Sequence, residues 1–342
     1  MLTPVETTLG SLLAHQAATN LLFDNGAILG ISGLLRGLMS APSRNNFFFF
    51  TGMALSWVPL KLLAPQVLPV YPDWGGGLKS ILWTATMGAL VGWGTKCSNG
   101  CTSGHMLCGL SRLSSRSLVA VGTFFPTALI TRHVFSALNP SLVTSTASVC
   151  PIDAPCYAPV YPDTSTTATL VGLTTTAIVL NRYLPPLAAR KHSTEAGRAT
   201  AWLTAGTTFG LGLLLSGMAS PAKVSAFFDV LSPSSLLPSI DLSAWDPSLA
   251  LILLFGVVPN AIAIFSCGGL DKTKPRFVER FGIPTKTFKD IDWRFIAGAA
   301  AFGIAWGASG VCPGPASLRA VARPAWGLVW MTGFYLGGLL GW

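Results

Sequence analysis

Charged residues are scarce in this sequence of 342 residues: they make up 10% of the chain, whereas hydrophobic residues make up 51%. A soluble domain of this length carries roughly a quarter charged residues, so this composition excludes an ordinary soluble protein and indicates a membrane protein. The opening segment MLTPVETTLG lacks the basic region of a cleavable signal peptide, and none is expected. The net charge of +9 is assigned to cytoplasmic loops rather than to nucleic-acid binding.

Motifs of redox and metal chemistry are also missing. The sequence has no CxxC pair and no haem attachment signature, and it contains only 4 histidines. Its 7 cysteines are scattered, unlike those of a secreted disulfide framework. These absences argue against an enzyme, and neither a cofactor nor a metal ion is expected.

Long apolar stretches dominate what is present. Nine of them are long enough, or nearly so, to cross a bilayer, which takes about 20 residues. They cover residues 7–23, 46–68, 78–95, 115–135, 168–187, 199–218, 246–267, 293–311 and 325–342. Four shorter segments begin near Gly, Pro or Ser: GAILGISGLLRGLM, CTSGHMLCGLSR, SPAKVSAFFDVL and CPGPASLRAVAR. These predict re-entrant helices, so the expected fold is an all-α polytopic membrane protein with about nine transmembrane and four re-entrant helices.

The order of long and short elements repeats along the chain. Residues 1–137 form the predicted first repeat, 138–198 an extracellular loop with a linker helix, and 199–342 the second repeat. GWGTKCSNGCTSG in the first repeat matches AWGASGVCPGP in the second, and in both a cysteine opens a short helix. Five spans precede the second repeat, and because that number is odd the second repeat is inverted. Inverted repeats with interrupted helices are typical of transporters, with the substrate site at the repeat interface.

The distribution of positive charge orients this topology. Most of the 22 Lys and Arg fall on one side of the predicted membrane, and the long loop 136–167 on the other side has none. The positive-inside rule therefore places the N-terminus outside and the C-terminus in the cytoplasm, most simply in the plasma membrane. Four cations near the short helices are expected to snorkel to the interface, with attraction of anions as the alternative: Lys96, Arg112, Lys223 and Arg319. The run Phe47–Phe50 is expected to face lipid.

Cys101 and Cys312 open the two matching short helices, whose N-termini should meet near the membrane midplane. Unpaired N–H groups at a helix start bind an anion without a buried cation. This matters because a fixed charge at the bilayer centre costs about 2.5–3.5 kcal/mol. Neutral thiols add weak donors and polarisable acceptors, which suit an anion that contains sulfur. The candidate substrate-binding residues are Cys101, Cys312, Gly100, Thr102, Ser103, Gly104, Gly310, Gly314, Cys108 and His105.

Several of these motifs resemble a known family. NGAILGISG, GCTSGH, GLLLSGMASPAKVSAFFDV, AWDPSLA, IDWR and WGASGVCPGPA are similar to segments of the YeeE/YedE family of sulfur-transport membrane proteins, here in a form with both repeats fused. The resemblance implies uptake of thiosulfate through an hourglass-shaped protein. It also implies that Cys101 and Cys312 pass the ion along by transient S–H hydrogen bonds. GAILGISG lacks the further cysteine typical of the thiosulfate transporters, so sulfite, sulfide and polysulfide stay open as substrates.

Alternative roles for the other cysteines remain open at the level of sequence. Cys97, Cys101, His105 and Cys108 have helical spacing that could form a metal cluster, although Asn99, Gly100 and Gly104 interrupt the helix. His105 is expected to be a hydrogen-bonded helix residue, and Cys108 belongs either to the pathway or to the core. Cys150 and Cys156 lie in a predicted outer loop, and the sequence leaves open whether they form a disulfide or stay as two free thiols.

Two other functions are compatible with the sequence. One is a membrane sulfur-handling or redox protein in which a cysteine forms a persulfide. The other is a scaffold that delivers sulfur to a cytoplasmic sulfur-carrier protein. The expected partners are thus a small inorganic sulfur anion, the lipid bilayer and, as a candidate, such a carrier.

Overall fold

The computed structural model describes residues 1–138, 150, 154–231 and 240–341; residues 139–149 and 151–153 of the predicted outer loop, residues 232–239 and Trp342 lie outside it. This described part is all-helical and contains no β-strand, which confirms the predicted all-α class. Its α-helices are α1 Pro4–Asn25, α2 Ile31–Ser40, α3 Arg44–Leu55, α4 Trp57–Leu63, α5 Leu78–Cys97, α6 Ser115–Leu138, α7 Thr164–Lys191, α8 Thr194–Leu215, α9 Pro221–Phe228, α10 Val258–Ser266, α11 Trp293–Ser309, α12 Pro313–Ala322 and α13 Pro324–Leu340.

Two further segments are wider than an α-helix. Ser103–Gly109 is π-helical and continues into a 3₁₀ turn, and a second π-helical segment, Leu253–Val257, leads into α10. A π-helical turn leaves carbonyl groups without their usual α-helical partners, and such turns are frequent at functional sites. The Leu107 carbonyl accepts hydrogen bonds from Asn260 Nδ2 at 3.2 Å and from Ser111 Oγ at 3.0 Å. The short helix predicted after Cys101 is therefore present, but in the π-helical form.

Apolar spans indicate a membrane protein. By length and composition, three helical stretches among the described residues can cross a bilayer: Arg44–Leu63, Ser115–Leu138 and Pro247–Ser266. α11 and α12 together make a fourth if the pair, which is bent by 41°, counts as one span. The remaining long helices are shorter or richer in Gly, Ser and Thr, so the count of nine spans and four re-entrant helices stays a prediction.

Glycines bring the long helices into backbone contact. On α5 a Cβ added at Gly92 would lie 1.9 Å from the Phe334 carbonyl oxygen, and on α13 a Cβ at Gly337 would lie 2.0 Å from the Ala89 oxygen. Both helices carry glycine four residues apart at this contact, since Gly88 and Gly333 pack in the same way. Close packing through small residues is the usual way that membrane helices associate.

Three expectations about side-chain exposure are wrong. Phe49, within the run predicted to face lipid, is fully buried and packs edge-on against Trp202. Lys223 does not snorkel to an interface but is buried and pairs with Asp246, with the charged atoms 3.6 Å apart. Arg319 is buried as well, and its guanidinium lies over the Trp326 ring, 4.1 Å from the ring centre. In each case an aromatic or charged side chain on another segment contacts the residue in place of lipid or water.

A disulfide joins Cys150 to Cys156, which is one of the two alternatives that the sequence left open. The Cys156 carbonyl accepts a hydrogen bond from the Leu2 N–H at 2.9 Å, and the Cys156 N–H donates to the Ser243 carbonyl at 2.8 Å. The disulfide therefore anchors a short connection between the start of α1 and the loop before Pro247.

Candidate functional site

A tight turn after α5 positions Cys101. Asn99 adopts a left-handed conformation with φ of 56°, and the Gly100 N–H donates to the Thr95 carbonyl at 3.0 Å. An added Cβ at Gly100 would lie 2.6 Å from the His105 ring, so only glycine fits beneath that ring. Cys101 follows as a buried residue, two positions before the π-helical segment begins at Ser103.

A second turn, after α11, positions Cys312. Gly310 has φ of 66° and closes α11 by donating its N–H to the Trp306 carbonyl at 2.8 Å. An added Cβ would lie 2.5 Å from the Pro221 carbonyl oxygen, so Gly310 packs against the start of α9 rather than lining a cavity. Its expected contact with substrate stays a prediction, beside this structural role at the helix end.

α12 offers fewer backbone donors at its N-terminus than predicted. Pro313 and Pro315 have no N–H, and the Ala316 N–H donates to the Cys312 carbonyl at 2.9 Å. Among the first residues of α12, Gly314 is therefore the one whose backbone N–H is not used within the helix. Hydroxyl and thiol groups must carry most of the hydrogen bonding at this end of the site.

The two helix starts meet. The Thr102 hydroxyl is directed at Cys312 Sγ at 3.7 Å, and Cys101 Sγ lies 3.4 Å from Ser103 Oγ. The Ser103 hydroxyl also accepts a hydrogen bond from the Ile31 N–H, the first N–H of α2, at 3.1 Å. Three short elements thus converge on the pair of thiols.

These elements line a cavity of about 40 Å³, here called the neck cavity. Among the described residues that line it, none carries a charge. Its polar and sulfur-containing wall is formed by Ser11, Cys101, Thr102, Ser103, Met106, Ser216, Met218 and Cys312. Gly314 also lines it, while Phe209 and Leu213 of α8 supply part of the apolar wall. Such a chamber can receive a small polarisable ion but offers no counter-charge to hold it.

A larger cavity of about 460 Å³, here called the vestibule, adjoins the neck cavity. The two cavities share a wall of neighbouring residues. Gly30 and Gly104 line the vestibule, whereas their chain neighbours Ile31 and Ser103 line the neck cavity. Five cations line the vestibule: Arg36, Arg112, Arg116, Arg280 and Lys286. Within the described part of the chain, none of its lining residues is a carboxylate. The vestibule is therefore strongly basic, in contrast to the neutral neck cavity.

His105 faces the vestibule, and both of its ring nitrogens have partners. Nε2 lies 3.0 Å from the Ser98 carbonyl, which can only accept, so Nε2 carries the proton. Nδ1 then accepts from the Ser117 hydroxyl at 3.1 Å. His105 thus joins the turn after α5 to α6, together with Gly100, and this agrees with the expected role as a hydrogen-bonded helix residue.

Cys108 lies away from the two thiols of the neck cavity. Its Sγ is directed at the Leu29 carbonyl at 3.9 Å, and it lines a separate cavity of about 10 Å³ beside Asn260. Within the described ranges, no three His, Cys, Asp or Glu side chains come together as metal ligands would. The alternative cluster of Cys97, Cys101, His105 and Cys108 is therefore not assembled.

A loop between α10 and α11 supplies part of the vestibule wall. The Gly282 N–H donates to the Gly26 carbonyl at 2.7 Å, and Arg276 pairs with Asp24 at 3.0 Å. Near the end of this loop the Thr287 N–H holds the pKa of Asp290 below its usual value, with the Thr287 hydroxyl contributing in the same direction. These contacts fix Arg280 and Lys286, which belong to the same loop, at the vestibule.

Sequence reasoning missed several of the lining residues. Ser216 lies in LLSG, a segment that matches GISG in the first half, so the repeat itself could have indicated it. Ser11, Met106 and Met218 gave no such signal, since nothing in their local sequence separates them from packing residues. The cations of the vestibule come from three separate regions of the chain, and only folding brings them together.

The described part of the chain is all-helical, with apolar spans and a cavity between short broken helices, and this indicates a polytopic membrane protein. Residues 199–340 match a family described as a family of unknown function, DUF6691. Two probable transporters from Xylella fastidiosa, of strains Temecula1 and 9a5c, are each 38% identical to this chain, over 128 and 122 residues. The matches cover 75% and 72% of these relatives and 36% and 35% of this chain. Another probable transporter of strain Temecula1 is 34% identical over 126 residues, 88% of its length.

The chain therefore belongs to the family of these probable transporters. Each matched stretch covers most of its relative but little more than a third of this chain, so these relatives are about half as long. Membership of this family supports a role in transport and does not identify the substrate.

Proposed function

We propose that this protein is a membrane permease for a small sulfur-containing anion, with thiosulfate as the first candidate. The ion crosses through the neck cavity without covalent chemistry, and the two thiols and the neighbouring hydroxyls hold it by transient hydrogen bonds. The motif resemblance to the YeeE/YedE family supports the choice of substrate, and the family of probable transporters supports the mode of action.

One observation carries the proposal: Thr102 of one short helix reaches Cys312 of the other, and both line one uncharged cavity with Cys101. The cavity has room for roughly one to three water molecules, so an ion enters it without most of its hydration. Neutral S–H and O–H donors then replace the lost water at little electrostatic cost. A buried cation there would bind the ion more tightly and slow its release.

The topology that we propose has two inverted repeats, 1–137 and 199–342, joined through an outer loop and α7. Two observations support it. The family match at 199–340 covers nearly the whole second repeat, and related short helices flank the neck cavity from both halves. Positive charge on the vestibule side makes that side cytoplasmic, in which case the N-terminus is outside and the C-terminus inside.

Sulfur chemistry rather than charge alone distinguishes this substrate. Four sulfur-containing side chains line the neck cavity: Cys101, Met106, Met218 and Cys312. Sulfur is polarisable, and a ligand with a terminal sulfur atom gains dispersion energy from such a wall. The absence of a cysteine from GAILGISG keeps sulfite, sulfide and polysulfide as competing substrates.

Uptake of radiolabelled thiosulfate into vesicles that contain the purified protein tests the proposal. We expect Cys101→Ala and Cys312→Ala to abolish uptake, while Cys267→Ala, at the exposed end of α10, keeps it. Unlabelled sulfite, sulfide and sulfate as competitors rank the substrates. Normal uptake by both neck variants would refute the thiol pathway, and a persulfide on Cys101 after turnover, found by intact-mass measurement, would favour the sulfur-handling alternative.

A further inference from the structure

The vestibule holds more positive charge than its surroundings balance. Within the described residues, no carboxylate lies within 4 Å of Arg36, Arg112, Arg116, Arg280 or Lys286, although other arginines of the chain are paired in this way. Uncompensated cations in one cavity repel each other and attract anions from solution. Asp290 and Asp292 attract Arg116, and Asp290 also attracts Lys286, but from beyond ion-pair distance, so the positive charge of the vestibule is only partly balanced.

Two of these arginines are held in place by contacts with neighbouring side chains. Arg116 is 7% exposed, its guanidinium carbon lies 4.6 Å from the Phe295 ring centre, and its Nε has no hydrogen-bond partner. Arg36 donates from Nη2 to Thr95 Oγ1 at 3.3 Å, while its buried Nε also has no partner. Both Nε atoms are themselves shielded from the cavity, so what the two arginines offer an oxyanion is the positive charge of their guanidinium groups in the vestibule wall.

The carboxylates nearest to Arg116 are already engaged elsewhere. Asp290 accepts from the Thr287 N–H, and Asp292 accepts from the Phe295 N–H at 2.9 Å as the N-cap of α11. Asp24 pairs with Arg276. No rearrangement of these exposed or capping groups is needed for the vestibule to accept an external anion.

We propose that the vestibule is a second anion-binding site, which takes a divalent oxyanion together with part of its hydration water. Guanidinium forks match the geometry of sulfate-like and phosphate-like oxygens, and several forks favour two negative charges over one. The vestibule has more than ten times the volume of the neck cavity, so it accommodates ions that the neck excludes. An ion bound there lies at the mouth of the neck and competes with the ion that passes through it.

This inference depends on the cations of the vestibule and not on the thiols, and only its competition step rests on the proposed permease. The first experiment measures sulfate binding by calorimetry to the full chain in phosphatidylcholine nanodiscs. We expect saturable binding that weakens at least tenfold in Arg116→Gln and in Arg36→Gln. The exposed pair Arg44–Glu195 supplies the control Arg44→Gln, and the neck variant Cys312→Ala should also bind sulfate as the unchanged protein does.

Two outcomes would overturn the inference: no saturable sulfate binding, or unchanged affinity in folded Arg116→Gln and Arg36→Gln variants. Folding is checked by the melting temperature, and Arg116→Lys, which keeps the charge, should retain part of the affinity. A repeat in phosphatidylglycerol nanodiscs separates a free ion from a lipid headgroup. Loss of sulfate binding there would identify the headgroup phosphate as the occupant and would refute a free-ion site.

The competition step has its own measurement. Sulfate loaded inside vesicles should slow thiosulfate uptake by the unchanged protein at least twofold and should have no effect on Arg116→Gln. If thiosulfate is not transported at all, the calorimetry still decides whether the vestibule binds anions. The two proposals can therefore fail separately.

Discussion

Thr102 and Cys312 are 210 residues apart in sequence, and the hydroxyl of the first is directed at the sulfur of the second at 3.7 Å. This contact joins the starts of two short helices from opposite halves of the chain. It brings a hydroxyl of the first half and a thiol of the second half together in the wall of the neck cavity. The first prediction concerns this contact.

Thr102→Val keeps the shape of the side chain and removes the hydroxyl. We expect thiosulfate uptake to fall roughly two- to tenfold, because one hydrogen bond contributes about 0.5–1.5 kcal/mol. Thr123→Val is the matched control, since the Thr123 hydroxyl donates within α6 to the Val119 carbonyl at 2.8 Å and lines neither cavity. Equal uptake rates in the two variants would show that the Thr102 hydroxyl takes no part in transport.

Gly337→Ala should destabilise the contact between α5 and α13. The new methyl group would lie 2.0 Å from the Ala89 carbonyl oxygen, and backbone atoms cannot move aside as a flexible side chain can. Overpacking of this kind costs about 1–3 kcal/mol, so the melting temperature should fall by several degrees. Gly122→Ala on α6 is the control, because an added Cβ there meets nothing within 4 Å. A melting temperature equal to that of the control would contradict the close helix contact.

Lys223→Met should destabilise the protein because it leaves the buried Asp246 with the Met1 ammonium, 3.3 Å away, as its remaining cation. We expect a loss of about 1.5–3 kcal/mol, less than for a fully broken buried pair, since Asp246 also keeps its hydrogen bonds from Ser248. Adding Asp246→Asn should recover part of the loss, and a double-mutant cycle in thermal denaturation measures the coupling. The exposed Lys79→Met serves as a control. Additive effects of the two changes would refute a coupled ion pair.

Reduction of the Cys150–Cys156 disulfide should loosen the connection between the start of α1 and the loop before Pro247. The disulfide closes a short loop, for which chain entropy predicts about 2 kcal/mol of stabilisation. Dithiothreitol and Cys150→Ser should lower the melting temperature by similar amounts, and their effects should not add. Cys267→Ser, a change at the exposed end of α10, should leave it unchanged. An additional drop when dithiothreitol is applied to Cys150→Ser would point to another reducible site.

The helical class and most of the helices could be predicted from the sequence. Apolar runs, scarce charge and Gly or Pro at helix starts are local signals, and they located all four short elements. Helix ends were less predictable: α3 and α4 break at Ser56 within one predicted span, and α8 begins at Thr194 rather than at residue 199. The π-helical form of Ser103–Gly109 depends on Asn260, a residue distant in sequence, and so no local pattern predicts it.

The candidate site, like the fold, could be predicted from the sequence only in part. Cys101 and Cys312 follow from matching motifs in the two halves, because duplicated segments place equivalent residues at equivalent helix starts. Gly310 and Cys108 share those motifs, yet the structure puts one at a helix end against Pro221 and the other in a separate small cavity. A motif gives the spacing along a helix, but not which face of it meets the cavity.

By itself, then, the sequence determined the class of the protein and the two thiols at the centre of its candidate site. Only the tertiary structure decided which cations remain unpaired at the vestibule, that Phe49 is buried, and that Lys223 and Arg319 are held by partners inside the protein. Hydrophobic periodicity and helix-start chemistry act over a few residues, so they can be read from the chain. Charge pairing and burial depend on segments that folding brings together, and they appear only in three dimensions.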